Sequence, residues 1–300
     1  MRLPAASLRP YVSGYQLVRV SGPEGSLVED LIYPGWANIR CVIDGGWSLQ
    51  IGERHYDPAP LQVLYGASSI AGRLRGYPGN LAGAGLTPLG WAKLFGLDAS
   101  AYADRLTPLH QLLGAQTDQL VAALTADPTP DGVAMAYDAV LLERLERAPD
   151  PHPLLIDLHR LLTDIDVSDV ESLSELLSLS SRQVARLTGR LFGFSPKLLL
   201  QRHRFLGTLM ALREGEAGSW GRQLDPRYYD QAHFVRDCRK FLGLSPSEFF
   251  ALPRPILEAS TRSRAALLGA GAQGLQRPGR ASGDEAFVSP ISPRPAAPIL

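Results

Sequence analysis

Two stretches in the C-terminal half of the sequence repeat one another at a constant offset of fifty residues. The first reads SSRQVARLTGRLFGFSPKLLL from Ser180, and the second reads DQAHFVRDCRKFLGLSPSEFF from Asp230. Each starts with a residue that caps helix N-termini well and contains Gly-x-Ser-Pro, at Gly193 and Gly243. Glycine favours the left-handed conformation that ends a helix, and Ser-Pro favours the start of the next one. The repeat therefore predicts two equivalent helices, each followed by a further helix.

Each predicted helix has one apolar face and one cationic face. The residues that form the apolar faces at helical spacing are Val184, Leu187, Leu191, Phe234, Cys238 and Phe241. Ser180 and Gln183 also fit a capping box. Upstream, DVESLSELLSLS predicts a short helix whose apolar face consists of Leu173, Leu176 and Leu177. The two helices together are typical of a helix-turn-helix, in which the second helix enters the major groove of DNA.

The charge of the chain is concentrated around these helices. The formal net charge of the 300 residues is zero, with 30 basic and 30 acidic side chains. Between Ser181 and Lys240, however, twelve Lys and Arg stand against five Asp and Glu, which leaves this span at about +7. A solvated helix face explains one such arginine, but two matching cationic helices favour a polyanion. Double-stranded DNA is the predicted partner.

Residues 154–252 resemble the DNA-binding domain of AraC/XylS-type transcriptional regulators, most specifically through YYDQAHFVRDCRKFLGLSPSEFF. The resemblance implies two helix-turn-helix units joined by a long helix, and a sequence-specific DNA-binding transcriptional regulator. The base-reading residues that it implies are Arg182, Gln183, Arg186, Gln231, His233 and Arg236. Arginine can pair bidentately with guanine and glutamine with adenine, which agrees with this assignment. The residues expected to contact phosphates are Arg190, Lys197, Arg202, Arg239 and Lys240.

The sequence departs from the family pattern just before the second repeat. In SWGRQLDPRYYD, Pro226 occupies the repeat position of Leu176, and Arg227 stands where a glycine is expected. Because proline disrupts the interior of a helix, the helix before the second recognition helix is expected to be short or distorted. An alternative function therefore stays open, namely a ligand-binding or protein-interaction module with a degenerate DNA-binding domain.

Residues 1–115 are predicted to be rich in β-strands. Short extended runs such as NIRCVI and WSLQIG are separated by Gly and Pro, which is typical of a sandwich or a small barrel. The predicted fold class is α+β, with a cupin-like or sandwich domain before an all-α double helix-turn-helix domain. Five aromatic residues are candidates either for an effector pocket or for the sandwich core: Tyr33, Trp36, Trp47, Tyr65 and Trp91.

The segment GAGLTPLGWAKLFGLDASAYADRLTPLHQLLG resembles the end of the N-terminal domain in some regulators of this family. The resemblance implies a sensory or dimerisation role for residues 1–115. The candidate partners that the resemblance implies are a small-molecule effector, a second copy of the chain in a homodimer, and RNA polymerase.

Residues 116–150 are predicted to form a helical connector, and APDPHP at 148–153 a linker. In the connector, Val133, Ala136, Val140, Leu141 and Leu145 share a helical face. That face packs either on its own domain or on a second copy of the chain. Residues 253–300 are rich in Pro, Gly, Ala and Ser and are predicted to be a disordered tail.

Enzyme, cofactor and membrane signatures are weak in this sequence. The six histidines are scattered, so no metal site is predicted, and no nucleophile elbow or phosphate-binding loop occurs. GAGAQG from Gly269 matches a dinucleotide-binding pattern but follows no predicted strand. Cys41 and Cys238 lie among apolar residues and are predicted core residues. Without a signal peptide or a membrane-length apolar run, we expect a cytoplasmic protein that needs no cofactor and is not an enzyme.

Overall fold

The computed structural model describes residues 1–23, 25–164, 167–214, 224 and 227–276. Within these ranges a β-rich N-terminal half is followed by a helical C-terminal half, which confirms the predicted fold class. The helices in these ranges include none that is long and apolar enough to cross a membrane.

The N-terminal half contains two antiparallel sheets. The strands are β1 (Val12–Val20), β2 (Val28–Ile32), β3 (Asn38–Val42), β4 (Trp47–Ile51), β5 (Arg54–Tyr56), β6 (Gln62–Tyr65), β7 (Gly72–Gly76), β8 (Gly79–Leu86) and β9 (Leu106–Pro108). The larger sheet has the order β1-β8-β3-β6-β9, and the smaller has the order β2-β7-β4-β5.

The two sheets pack face to face around a common core. Val42 and Val63 of the larger sheet meet Trp47, Leu49 and Leu74 of the smaller one, and all five are buried. Successive side chains of a strand point to opposite faces of its sheet, so every second side chain points into the space between the sheets. Buried residues on both inner faces hold the two sheets together as a sandwich.

The outer face of the larger sheet is covered by helices. These are α1 (Pro88–Leu94), α2 (His110–Leu113), α3 (Gln116–Ala126) and α4 (Pro130–Arg147). Helix α4 lies on β1 and buries Val133 and Leu141, while Leu145 packs partly buried against the same core. The predicted apolar face of the connector is therefore confirmed, and it packs on its own sheet.

The helical half begins after the non-helical residues 148–153, as predicted. Its helices are α5 (Leu155–Leu162), α6 (Val170–Leu177), α7 (Ser181–Phe192), α8 (Pro196–Glu214), α9 (Gln231–Leu242), α10 (Pro246–Ala251) and α11 (Pro255–Leu268). Helix α8 joins two cores, because Leu199 packs with α5, α6 and α7 whereas Phe205 packs with α9. Cys41 and Cys238 are free and buried, which confirms that they are core residues.

Both helical cores include residues of the β-rich half. Trp36 packs with the first core, and Leu31, Tyr33 and Ala71 pack with the second. The backbone N–H of Ala71 also donates to the carbonyl of Phe241 at 2.7 Å. The two halves therefore share buried surface.

The predicted disorder of residues 253–300 is wrong for their first part. Pro255–Leu268 forms α11, and a 3-10 turn follows at Gln273–Leu275. The Asp30 carboxylate accepts the N–H groups of Ile256 and Leu257, at the start of α11, at 2.6 and 3.1 Å. Residues 255–276 contain too few large apolar residues to form a core of their own. They are ordered here because they pack on the rest of the chain. Residues 277–300 lie outside the described residues.

Candidate nucleic-acid interface

Helices α6 and α7 form a helix-turn-helix whose boundaries follow from local chemistry. The Asp169 side chain accepts the N–H of Ser172 and caps α6. The turn passes through Ser178, which has a positive φ of 53°. Helix α7 starts with a complete capping box between Ser180 and Gln183 and ends at Gly193, where φ is 87°. The predicted caps of this unit are thus confirmed.

The apolar faces of the unit match the prediction except at one position. Val184, Leu187 and Leu191 of α7 are buried, as is Leu173 of α6. Leu176, predicted on the same apolar face, is 53 % exposed. Helix α6 spans only two turns, and Leu176 lies on its flank, away from the core that Leu173 reaches.

The solvent face of α7 carries three arginines. Arg182, Arg186 and Arg190 are all exposed and are spaced four residues apart. Side chains at this spacing lie on one helix face, so the three guanidinium groups form a cationic stripe about two turns long. The three arginines are therefore accessible from one side of the helix, and their contacts with DNA stay a prediction.

Gln183 is partly committed to the local fold. Its Oε1 accepts hydrogen bonds from the N and Oγ of Ser180, at 2.9 and 2.8 Å. A bidentate contact to adenine uses this same oxygen as the acceptor for the adenine amino group. In this structure Gln183 serves as the capping partner, so its predicted base-reading role requires the capping box to open.

Helix α9 has the same arrangement as α7, with a side-chain cap at its start, a buried apolar face and a glycine at its end. The Asp230 side chain accepts the N–H of His233, and Gly243 ends the helix with φ of 69°. Phe234, Cys238 and Phe241 are buried, which confirms the predicted inner face. The outer face presents four exposed polar side chains: Gln231, Arg236, Arg239 and Lys240.

His233 points to the inner side of α9, in contrast to its predicted base-reading role. Its Nε2 lies 3.2 Å from Arg204 Nη2 of α8, and its ring packs edge-on against Tyr228. The same guanidinium donates to Asp237 Oδ2 at 3.0 Å, and the Tyr228 hydroxyl donates to that oxygen at 2.9 Å. His233 therefore belongs to a polar network that fixes α9 on α8.

Arg202 is the clearest correction among the predicted phosphate contacts. It is only 2 % exposed, and its Nη1 donates to the carbonyls of Gly35 and Ser68 at 3.2 and 2.8 Å. Its guanidinium also lies 4.2 Å from the ring centroid of Trp36. Burial lowers the pKa of Arg202 to about 9. Arg202 thus joins α8 to the β-rich half and is inaccessible to a phosphate.

The other predicted phosphate contacts stay at the surface. Arg190, Lys197, Arg239 and Lys240 are exposed. The Lys240 ammonium donates to Gln201 Oε1 at 2.6 Å, a contact that holds it beside α8. An exposed ammonium group with a neutral partner keeps its charge available for a phosphate oxygen.

The five aromatic residues considered for an effector pocket do not converge on one site. Each is buried, but they belong to four different cores, as follows: Tyr33 with α8 and α9, Trp36 with α5 and α7, Trp47 and Tyr65 between the sheets, and Trp91 beneath α4. The five residues therefore do not form one common pocket, although Tyr33 and Trp36 both border a cavity of about 90 Å³ between the sheets. All five contribute to hydrophobic cores that hold the sheets and helices together, and an effector-binding role for Tyr33 and Trp36 stays a prediction.

Two features near α9 escaped the sequence analysis. Tyr229 is 95 % exposed and directly precedes Asp230, the residue that caps α9. The only sequence signal for it is the adjacent pair Tyr228 and Tyr229. The second feature is the pairing of Arg204 with Asp237, which nothing in the spacing indicated. Pro226, which breaks the family pattern, lies outside the described residues.

No family model and no curated protein matches this chain. Among solved structures, an apo variant of ToxT from Vibrio cholerae strain SCE256 is similar to 80% of this chain and 97% of its own, at 11% identity and a TM-score of 0.43. ToxT from strain O395 has 11% identity, coverages of 79% and 96%, and a TM-score of 0.41. Wild-type ToxT with a bound unsaturated fatty acid has 10% identity, coverages of 77% and 96%, and a TM-score of 0.42. Similarity of this extent carries no conclusion about function.

Proposed function

We propose that this protein is a sequence-specific DNA-binding transcriptional regulator of the AraC/XylS type. The observation that carries the proposal is the pair of helices α7 and α9, each with a buried apolar face and an exposed cationic face. Arg182, Arg186 and Arg190 line the first outward face. Arg236, Arg239 and Lys240 line the second. Two such faces joined by one long helix suit two successive major-groove contacts.

The positions along each helix suggest a division of roles. Arg186 and Arg236 lie in the middle of their helices, with Arg182 and Gln231 nearer the N-terminal ends that enter a groove. We assign base reading to these four residues. We assign phosphate contacts to the residues nearer the C-terminal ends of these helices, Arg190, Arg239 and Lys240. We assign the same role to Lys197, in the first turn of α8.

The first test is recovery and sequencing of genomic DNA fragments bound by the purified full chain, across a series of salt concentrations. We expect one enriched motif and an affinity that falls steeply with salt, because each neutralised phosphate contributes about −0.9 to the slope of log K against log salt. The double variant Arg186→Ala with Arg236→Ala should lose the motif. Arg147→Ala, an exposed arginine on α4, removes one charge elsewhere and should leave the motif intact.

The alternative function is a ligand-binding or protein-interaction module with a degenerate DNA-binding region. Pro226 and Arg227 favour it, because they depart from the family pattern before α9. Absence of DNA binding even at low salt would support this alternative. Salt-sensitive binding without an enriched motif would retain DNA as the partner but contradict sequence-specific reading.

A further inference from the structure

Residues 255–276, which we call the C-terminal strap, follow the part of the chain that resembles a DNA-binding domain. They comprise α11 and the 3-10 turn at Gln273–Leu275. The resemblance ends at residue 252, so two helix-turn-helix units joined by a long helix do not require the strap. Its contacts with the rest of the chain therefore indicate an additional role.

The strap is attached to the β-rich half at both ends. At its start, the Asp30 carboxylate of β2 accepts two N–H groups from the first turn of α11. At its end, the Gln273 side-chain amide donates to the carbonyls of Ala37 and Leu86, at 3.2 and 3.0 Å. Ala37 directly precedes β3, and Leu86 is the last residue of β8. The strap therefore crosses from the smaller sheet to the larger one.

The strap also lies directly on the second half of α8. A Cβ at Gly271 would lie 3.0 Å from Met210 Sδ, and a Cβ at Gly274 would lie 2.9 Å from Leu206 Cδ1. Both distances are shorter than ordinary contacts, so a side chain at either position would have to displace its neighbour. Packing on α8 thus accounts for the glycines of GAGAQG, the stretch that matches a dinucleotide-binding pattern.

Arg213, near the end of α8, links the strap to both halves of the chain. Its Nη1 donates to the Tyr33 hydroxyl at 2.7 Å and to Thr261 Oγ1 of α11 at 3.4 Å. Tyr33 belongs to the β-rich half and packs in the core that α8 shares with α9. Leu257 and Ala272 are buried in that same core. The strap thus supplies one side of the core on which α9 rests.

Helix α7 has a different support. Among the described residues, the core beneath α7 contains none from 255–276, and it includes Leu89 and Ala92 of α1 in the β-rich half. The last residue of the strap, Gln276, lies beside His159 of α5. Opening of the strap would therefore remove support from α9 and leave the support of α7 in place.

Opening of the strap is expected to require less free energy than unfolding of the whole chain. Leu257 is the buried large apolar residue of α11, and most of its other side chains are small or polar. Two hydrogen bonds at each end hold the strap to the sheets. Segments with few buried apolar contacts open at free energies below that of global unfolding. The strap is therefore able to open while the sheets and the helical cores stay folded.

We propose that the strap is a latch that positions α9 for contact with DNA. Resting on the proposed function, this means that α9 binds the duplex together with α7 only while the strap is closed. With the strap closed, the same β-rich half holds both helices, so the second contact requires little further ordering of the protein. With the strap open, α9 moves relative to α7, and the loss of this freedom on binding offsets the contacts that α9 gains.

The strap can be locked reversibly. A Cβ at Gly35 would lie 3.7 Å from the Cβ of Gln273, within the range of about 3.5 to 4.5 Å that a disulfide requires. The double variant Gly35→Cys with Gln273→Cys should therefore form a disulfide in the presence of glutathione disulfide. Reduction with dithiothreitol should release the strap, because the variant lacks the two hydrogen bonds of Gln273. Oxidised and reduced protein then have the same sequence and differ in the closure of the strap.

The first measurement is hydrogen exchange of the full chain without DNA. Reduction of the double variant should speed exchange in residues 255–276 and in α9, with little change in α7. Oxidation should restore the protection of both segments. Gln273→Ala should behave as the reduced double variant does. The single variant Gly35→Cys should keep the same exchange pattern with and without the oxidant.

The second measurement is the affinity for the DNA motif that the wild type enriches. Arg236→Ala, on α9, should weaken binding more in the oxidised double variant than in the reduced one, by a ratio of about 5 to 150. Arg186→Ala, on α7, is the matched control and should weaken binding by the same factor in both states. A strap that only added stability would not change the effect of Arg236→Ala relative to that of Arg186→Ala.

Faster exchange in residues 255–276 without faster exchange in α9 would overturn the proposal. An equal effect of Arg236→Ala in the oxidised and reduced proteins would overturn it as well. Exchange of α9 that depends on the strap, in a protein that binds no DNA, would support the positioning of α9 by the strap and contradict the proposed function instead.

Discussion

Arginine residues of this chain occupy sharply different environments, although the sequence presents them alike. Arg186 is exposed on α7, whereas Arg202 is buried with two backbone carbonyls and an indole ring as partners. Both lie on helices in the cationic span, and both were predicted to contact DNA. Gly35 and Ser68, which bind Arg202, are 167 and 134 residues away in sequence. Local spacing does not indicate such distant partners, so the sequence alone does not distinguish the buried Arg202 from the exposed Arg186.

Arg186 and Lys240 are expected to affect DNA binding in different ways. Arg186→Ala should relax base preference at one position and cost about 1 to 3 kcal/mol at the preferred sequence. Lys240→Ala should weaken binding to all sequences alike and reduce the salt slope by about one. Binding to a set of single-base operator variants at several salt concentrations measures both effects. Identical behaviour of the two variants would contradict the assigned roles.

Arg202 is expected to matter for stability rather than for phosphate binding. Arg202→Met leaves the carbonyls of Gly35 and Ser68 without a donor, so we expect the free energy of unfolding to fall by roughly 2 kcal/mol or more. The salt slope of DNA binding should not change. Lys197→Met, on the exposed start of the same helix, should show the reverse pattern. Urea unfolding and DNA titrations of both variants make the comparison.

At the scale of single elements, helices α7 and α9 were predictable because each carries its own boundary signals. Caps, helical spacing and the terminal glycine all lie within the element. Helix α11 was not predictable in this way, since its start is fixed by Asp30 of β2. Its sequence is poor in large apolar residues, and Leu257 is its buried apolar contact. An element ordered by a distant acceptor looks disordered when composition alone is considered.

The contact between Asp30 and α11 gives a prediction for that element. Asp30→Ala removes the acceptor for two N–H groups and a negative charge at the helix N-terminus, so α11 should open more often. We expect faster hydrogen exchange in residues 255–276, with little change in α7. Glu29→Ala, which alters the exposed neighbouring carboxylate, is the matched control. Unchanged exchange in 255–276 for Asp30→Ala would show that the apolar contacts alone hold α11.

At the scale of the whole molecule, the order of a β-rich half and a helical half was predictable from patterning. The packing of the two halves against each other was not predictable, because the buried residues at their contact lie on short loops and on strand ends. Trp36 shows this well: it was considered for a ligand pocket but packs against His159 and Phe192 of the helical half. A single aromatic residue in a loop does not reveal which distant helix will cover it.

His159 makes the stability of the joined halves depend on pH. Burial among apolar neighbours lowers its pKa from 6.5 to about 3. Between these values the unfolded chain binds a proton that the folded chain excludes, so stability is lost as the pH falls below 6.5. The loss from pH 7 to pH 5 should reach about 2 kcal/mol, at roughly 1.4 kcal/mol per unit below the unfolded pKa.

Urea unfolding of wild type and His159→Leu at pH 7 and pH 5 measures this contribution. The variant should lose less stability on acidification than the wild type. His110→Gln, at an exposed histidine, should follow the wild type. Parallel curves for all three proteins would mean that folding does not shift the pKa of His159.

Helices α7 and α9 both rest on the same β-rich half, α7 through Leu89 and Ala92 of α1, and α9 through Ala71. Their separation is consequently set by a third body and not by α8 alone. For a regulator of the proposed kind, binding would then depend on the rotational phase of the two contact sites along the duplex as well as on their base sequence. A promoter whose two contact sites face different sides of the double helix would not be bound by both helices, whatever its base sequence. Inserting half a helical turn between the two sites would therefore abolish binding that single-base changes only weaken.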